Sequence, residues 1–448
     1  MNPVPIRALR IGTPNRMFPR PNRLDPSVHW LRNRRLTRIS TAAVLAAASA
    51  VLAVHSASAE ALLLVEVDTG KVLHAENATY PWYPASVTKL MTAYVTLRAA
   101  REGRITLDTL INVSDNAVAQ QPTKMGFRAG TQVTVDNALK MMMVKSANDM
   151  AVTLAEGVGG SIENFAGEMN RAAQRLGMTQ SSFVNPNGLP DENQVTSARD
   201  LAILARALIR EFPEYDLYWH IPAIKLGKRV MRNYNTLIDR YPGADGMKTG
   251  FICSAGFNLV ASATRGNKRL IAVVLGAPSS SVRAVQAAQL LEKGFGTHPL
   301  SWLLPSLGTV DALTPISASP PDLHEAMCGK HRHRPAAETE EEPADTPSDP
   351  DAASAYAAMN QSLRAQKVVL GPLISSMPPI EVFVGASKPR PRPVVARSSA
   401  SGAGTAPAAA AAKKPADTKP AATKPAAAKK PSTVAAPSSP KPQPRPGS

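Results

Sequence analysis

Cysteine is nearly missing from the chain: 448 residues contain only Cys253 and Cys328. That excludes a small disulfide-dense scaffold and leaves too little thiol for a zinc ribbon or an iron–sulfur site. Far apart as they are, the two leave their state open, free thiols being one reading. Cys328-Gly-Lys-His331-Arg-His333 has metal-ligand residue types, but its flanks are low in complexity, so no metal is expected there. Histidine is scarce too. Between residues 60 and 300 only His74, His220 and His298 occur, and there is no G-x-S-x-G elbow, which speaks against a Ser-His-Asp hydrolase. Charge is sparse on the body, since residues 1–59 carry +8 and residues 401–448 carry +7 of the net +17, leaving +2 between them. A body built to grip nucleic acid would carry the basic footprint itself, so that class is excluded. Forty prolines against 27 glycines show that part of the chain is not packed.

What is present sorts into four stretches. Trp30 to Arg38 supplies positive charge, residues 41–54 an apolar run, and Ala57-Ser58-Ala59 small residues at a cleavable position. These are the parts of an export signal, and the apolar run falls short of the ~18–20 residues that span a bilayer. Residues 1–59 are therefore expected to be a signal peptide cleaved near Ala59, placing the mature protein in the periplasm. Residues 60–300 read as one folded domain. Ala61–Val67, Asp68-Thr-Gly70 and the following Lys71–His74 read as strand, turn and returning strand. Ile162, Phe165, Ala166, Met169, Ala172, Ala173 and Leu176 recur at helical spacing and stop at Gly177, a C-cap. Ser197-Ala-Arg-Asp200 fits a capping box, and Asn258–Thr264 with Arg269–Leu275 reads as a hairpin. Strands at both ends with helices between predict an α/β (α+β) domain whose antiparallel sheet is assembled from both chain ends and covered by helices. Residues 301–385 read as a linker with a short apolar extended segment, Val368 to Gly385, that either docks or is merely sticky. Residues 386–448 are a Pro/Ala/Lys-rich tail expected to be disordered, because so little apolar surface cannot offset ordering entropy.

Three short motifs carry chemistry. In Ser86-Val-Thr-Lys89 the helical spacing of Val87, Leu90, Met91, Tyr94 and Val95 starts a helix with Ser86 and Lys89 on one side. A neutral lysine at hydrogen-bond distance can take the proton of a serine hydroxyl, and a helix N-terminus favours the developing negative charge. Ser146-Ala-Asn148 lies between two helical runs and would project a hydroxyl and a carboxamide from one turn. Lys248-Thr249-Gly250-Phe251 precedes the terminal hairpin and so falls on an edge strand, where Lys and Thr can bind a carboxylate and Gly admits an extended substrate. Each motif alone is also ordinary cap, turn or strand-entry chemistry. In this order and at these separations, chance has little room.

The set S-x-x-K, S-x-N and K-T-G resembles the penicillin-recognising serine acyl-enzymes. Pro84-Ala-Ser-Val-Thr-Lys-Leu-Met-Thr92, Ser146-Ala-Asn-Asp149, Asn185-Pro-Asn-Gly-Leu-Pro190 and Asp245-Gly-Met-Lys-Thr-Gly250 narrow it to the low-molecular-mass D-alanyl-D-alanine carboxypeptidases, over roughly residues 60–295. The resemblance implies a β-lactamase/transpeptidase-like fold with an inserted all-helical subdomain. It also implies a peptidoglycan peptide substrate, inhibition by β-lactam antibiotics, and no cofactor or metal. Ser86 would attack the carbonyl between two D-alanines and Lys89 would take its proton. Ser146 and Asn148 would relay protons and hold the peptide, and Lys248 and Thr249 would face the terminal carboxylate. Backbone N–H groups of Ser86 and Phe251 would form an oxyanion hole, typically worth about 3–4 kcal/mol per donor. Arg283 matches a carboxylate-binding arginine of some members, against the alternative of a solvated helix-end charge. Lys248 beside Lys89 would help keep the latter neutral, an expectation that fails if Ser86 acylation is indifferent to Lys248 across pH.

The pattern also has departures. Phe251 stands where many relatives carry histidine, and the all-β C-terminal domain and amphipathic anchoring helix of many relatives are not evident. A basic tail that contacts anionic envelope polymers is expected in their place. A class A β-lactamase usually carries S-D-N at the second motif and a later E-x-x-L-N glutamate; here Ala147 stands at the middle of that motif and the glutamate motif is absent, which argues for slow deacylation of penicillin. A D,D-endopeptidase cutting crosslinks would use the same residues, and an idle wall-binding module would keep the fold without the reaction.

Overall fold

The computed structural model describes residues 60–296, 306–330, 370–374 and 376–386. The signal region, His298, His331, His333 and the tail after residue 386 lie outside the described residues. From β1 (Ala61–Glu66) the chain reverses through the predicted turn into β2 (Val72–Glu76). A 3-10 turn, Ala85–Thr88, opens into α1 (Lys89–Arg101). A small ribbon follows, in which β3 (Leu110–Asn112) pairs with β4 (Gln132–Thr134) across the short α2 (Asp115–Ala119). The helical part is α3 (Val135–Lys145), α4 (Asn148–Gly159), α5 (Ile162–Leu176), α6 (Ala198–Glu211) and the single turn α7 (Leu217–His220). A hairpin, β5 (Ala223–Leu226) and β6 (Arg229–Arg232), leads to the meander β7 (Ala244–Ile252), β8 (Gly256–Arg265) and β9 (Lys268–Ala277), then α8 (Ser280–Phe295). The remaining described elements are α9 (His324–Cys328) and β10 (Ile380–Val382).

The main sheet runs β2-β1-β9-β8-β7, antiparallel throughout. Its first strand pairs with its last, Ala61 opposite Leu275, so the two ends of the domain do build one sheet. Both faces are covered, which is why β1 and β9 read as nearly unbroken apolar runs rather than alternating ones. Leu63, Val65, Val260, Ile271 and Val273 face the helical part, while Leu64, Leu259, Ala261, Leu270 and Val274 pack under α8. Alanines at 261, 263, 272, 284, 287 and 288 line that second layer. Helix starts follow their caps: Ser161 accepts from Asn164 N, Ser197 from Asp200 N, and Ser279 from Val282 N, each worth about 1 kcal/mol. α5 ends at Gly177 with φ 74°, the left-handed C-cap that its glycine predicts.

Two expectations need correction. Cys253 and Cys328 are not free thiols but form a disulfide closing a separation of 75 residues, so Cys328 is not a metal ligand. Nor is 301–385 a plain linker where it is described. Val72 N donates to Gly308 O and Val310 N to Gly70 O, Val310 is buried, and Leu323 N bonds Ser254 O. Further on, Gly371 N donates to Arg240 O, and β10 adds in parallel to β5, giving the order β10-β5-β6. The apolar residues Ile380 and Val382 pack against the core, which accounts for the docked reading of that segment.

Candidate active site

Ser86 sits in the 3-10 turn and Lys89 opens α1, so the three-residue spacing puts both on one side as predicted. Lys89 Nζ lies 2.8 Å from Ser86 Oγ, 2.7 Å from Asn148 Oδ1 and 2.7 Å from the carbonyl oxygen of Asn187. The lysine is 0% exposed. Three neutral oxygens thus fix its amine against the serine hydroxyl, in a place water does not reach. Ala85, immediately before the serine, has φ 50°, left-handed backbone that costs a non-glycine residue on the order of 1 kcal/mol and turns Ser86 out of the preceding loop.

Ser146 ends α3 in a left-handed conformation, φ 58°, and Asn148 begins α4, so the S-x-N turn does join two helices. Lys248 Nζ lies 3.0 Å from Ser146 Oγ and also bonds Thr249 O. Asn148 is engaged at both ends of its carboxamide, with Oδ1 on Lys89 and Nδ2 donating 2.8 Å to Gln121 O. Its neighbour Asp149 accepts the backbone N–H groups of Met125 and Gly126, which ties the 121–126 loop over this turn.

β7 is the edge strand of the main sheet, as its motif predicts. Thr249 is 2% exposed and its Oγ1 has no hydrogen-bond partner. Gly250 is pressed to the Ser86 turn: an added Cβ would lie 2.7 Å from Ser86 N and 2.9 Å from Val87 N. The Phe251 ring packs on Phe257 at a centroid distance of 4.4 Å. Arg283 is not a solvated helix-end charge. It is buried, and its guanidinium donates to Gly250 O at 3.3 Å and Asn258 O at 3.4 Å. The structure therefore brings Ser86, Lys89, Ser146, Asn148, Lys248 and Gly250 to one place, with Thr249 and Phe251 on the same strand and Arg283 bracing it.

Sequence reasoning missed the role of the 185–194 loop. Asn187 supplies a carbonyl to Lys89, and Gln194 Nε2 donates to Thr88 Oγ1 at 3.2 Å. The Asn185-Pro-Asn-Gly stretch was the available signal, but a backbone carbonyl leaves no side-chain signature. Among the described residues no group of three or more His, Cys, Asp or Glu could hold a metal ion.

Residues 46–279 match the family described as D-alanyl-D-alanine carboxypeptidase. The D-alanyl-D-alanine carboxypeptidase DacF of Bacillus subtilis is 38% identical over 251 residues, 54% of this chain and 64% of that protein. DacC of Escherichia coli is 38% identical over 256 residues, 56% of this chain and 64% of that protein. Among solved structures, penicillin binding protein 5 from Haemophilus influenzae has 38% identity and a TM-score of 0.52, covering 54% of this chain and 71% of that one. The chain thus spans just under two thirds of the two curated relatives' length.

Proposed function

The chain belongs to the D-alanyl-D-alanine carboxypeptidase family, and from that premise we propose that it removes the terminal D-alanine of peptidoglycan stem peptides through an acyl-enzyme on Ser86. The observation that carries the reading is the buried Lys89 amine, 2.8 Å from the Ser86 hydroxyl. In its neutral form Lys89 takes the Ser86 proton as Oγ attacks the carbonyl between the two D-alanines. The oxyanion that develops is held by the backbone N–H groups of Ser86 and Phe251, whose strand the Gly250 contact brings against the nucleophile turn. The proton taken by Lys89 is relayed through Ser146, itself bonded to Lys248, to the departing amine, and D-alanine leaves with Lys89 neutral again. Lys248 and the unsatisfied Thr249 hydroxyl supply the charge and donor that a terminal carboxylate needs. Water then attacks the ester, giving up a proton to Lys89, which passes it to the Ser86 oxygen as the acyl bond breaks. A β-lactam ring opened by the same attack keeps its leaving amine tethered, so the acyl group persists.

Export to the periplasm is supported by the signal pattern in residues 1–59 and by the Cys253–Cys328 bond, which suits an oxidising compartment. No helix among the described residues is long and apolar enough to cross a membrane. The tail after residue 386 adds a basic segment suited to anionic envelope polymers. Deleting it should weaken pull-down on isolated walls, and unchanged pull-down would remove that part of the reading. The test of the activity is D-alanine release from a pentapeptide ending in D-Ala-D-Ala. Release is expected from the wild-type protein and not from Ser86→Ala, whereas equal release from both would refute the proposal.

A further inference from the structure

Asn258 is the third residue of β8, 0% exposed, at a point where the β8–β9 pairing slips between Phe257 and Leu259. Its carboxamide is fully used across elements. Oδ1 accepts from Gly276 N at 3.0 Å, standing in for a strand-to-strand bond at the irregularity. Nδ2 donates to Tyr83 O at 3.0 Å and to Pro84 O at 3.1 Å, the two carbonyls that lead into the left-handed Ala85 and then Ser86. On the other side Asn258 is paired in register with Gly250, and Arg283 donates to the carbonyls of both. One buried side chain therefore fastens the nucleophile turn to the sheet, while its own backbone holds the strand that carries Phe251.

We propose that Asn258 is a positioning residue that sets the spacing between the Ser86 and Phe251 backbone N–H groups, and so acts on acylation through the oxyanion hole. This rests on the acyl-enzyme reading above. The hole works only if both donors lie about 3 Å from the oxygen as it becomes charged, and displacement by about 1 Å costs on the order of 10²-fold in rate. Neither donor belongs to Asn258. What it controls is the separation of the two elements that present them: the 83–86 segment can drift from β7 only if the two Nδ2 bonds break. The effect should fall on the transition state and spare initial binding, because the Asn258 side chain itself bonds only protein carbonyl and N–H groups.

The test compares wild-type protein with Asn258→Asp, which keeps the volume and the acceptor for Gly276 N–H but loses both donors. Asn258→Ser and Asn258→Ala are measured alongside, so the outcome does not hang on a buried carboxylate being tolerated. Three readouts are taken below each protein's melting temperature: the limiting rate of Ser86 acylation by benzylpenicillin, the concentration giving half that rate, and affinity for a boronic acid that forms a tetrahedral adduct on serine. The folded variants are expected to lose on the order of 10²-fold in limiting rate and a similar factor in boronate affinity, with the half-saturating concentration within about threefold. A merely structural role would lower the melting temperature and leave that split unmoved. Folded variants acylated at the wild-type limiting rate, or slowed only through weaker initial binding, would overturn the inference while leaving the acyl-enzyme reading intact. Wild-type protein that takes no acyl group would overturn both.

Discussion

A side chain at position 188 has nowhere to go. Gly188 has φ 82°, and an added Cβ would sit 1.8 Å from Ala85 O and 2.9 Å from Thr88 Oγ1. The left-handed backbone alone would cost alanine about 1–3 kcal/mol, before the clash forces the 185–189 loop away from the nucleophile turn. Gly188→Ala should therefore lower stability to urea by at least that amount and slow penicillin acylation, because the Asn187 carbonyl leaves Lys89. Wild-type values for both would contradict this packing. The residues legible beforehand were those whose proposed roles lie at fixed short spacings: Ser86 with Lys89, Ser146 with Asn148, and Lys248 to Gly250. Asn187 and Gly188 stood inside a stretch the sequence singled out, but their roles through a backbone carbonyl and a close approach leave no side-chain signature, and Asn258 reads as an ordinary strand residue. Arg283 was visible as a charge, but its burial against the carbonyls of Gly250 and Asn258 depends on how α8 packs.

Among elements, the seam between β8 and α8 depends on pH. Arg265 donates to both Glu292 carboxylate oxygens, at 3.2 and 2.6 Å, and Tyr241 Oη donates to Oε1 at 2.9 Å. The Arg265 hydrogen bonds, with help from Tyr241, hold the Glu292 carboxyl below the ordinary glutamate value of 4.5. A carboxyl lowered on folding adds stability that is present above its unfolded pKa and is lost as pH falls through the folded value. The wild-type melting temperature should thus fall as acid is added below about pH 4.5, and Glu292→Gln, which cannot gain that proton, should fall less steeply. Parallel declines would show that the pair contributes nothing. The long elements of this domain were readable because apolar periodicity and caps agreed, as at Ser197 and at Gly177. The hairpin β5–β6 was not: Lys225, Lys228, Arg229 and Arg232 make its short strands read as basic loop, and β5 gains its second partner only when β10 arrives from more than 150 residues away.

At the scale of the whole molecule, the described residues after α8 are stitched back onto the domain. The Cys253–Cys328 bond closes a separation of 75 residues and anchors α9 at the end of the strand that carries Lys248 and Gly250. A loop of that size stabilises by about 2–4 kcal/mol through the unfolded state. Reduction, or Cys253→Ser with Cys328→Ser, should lower the melting temperature by several degrees, and an unchanged melting temperature would show that the clasp is not closed in solution. Two cysteines in a chain this long carry no pairing pattern, so their bond was out of reach until the fold placed them together. The whole account turns on Ser86 as the acylated atom. Intact-protein mass measurement after benzylpenicillin tests it most directly: one penicilloyl group is predicted on the wild-type protein, on the peptide containing Ser86, and none on Ser86→Ala. An adduct on the variant, no adduct on folded wild-type protein, or rapid turnover of the penicillin would contradict it.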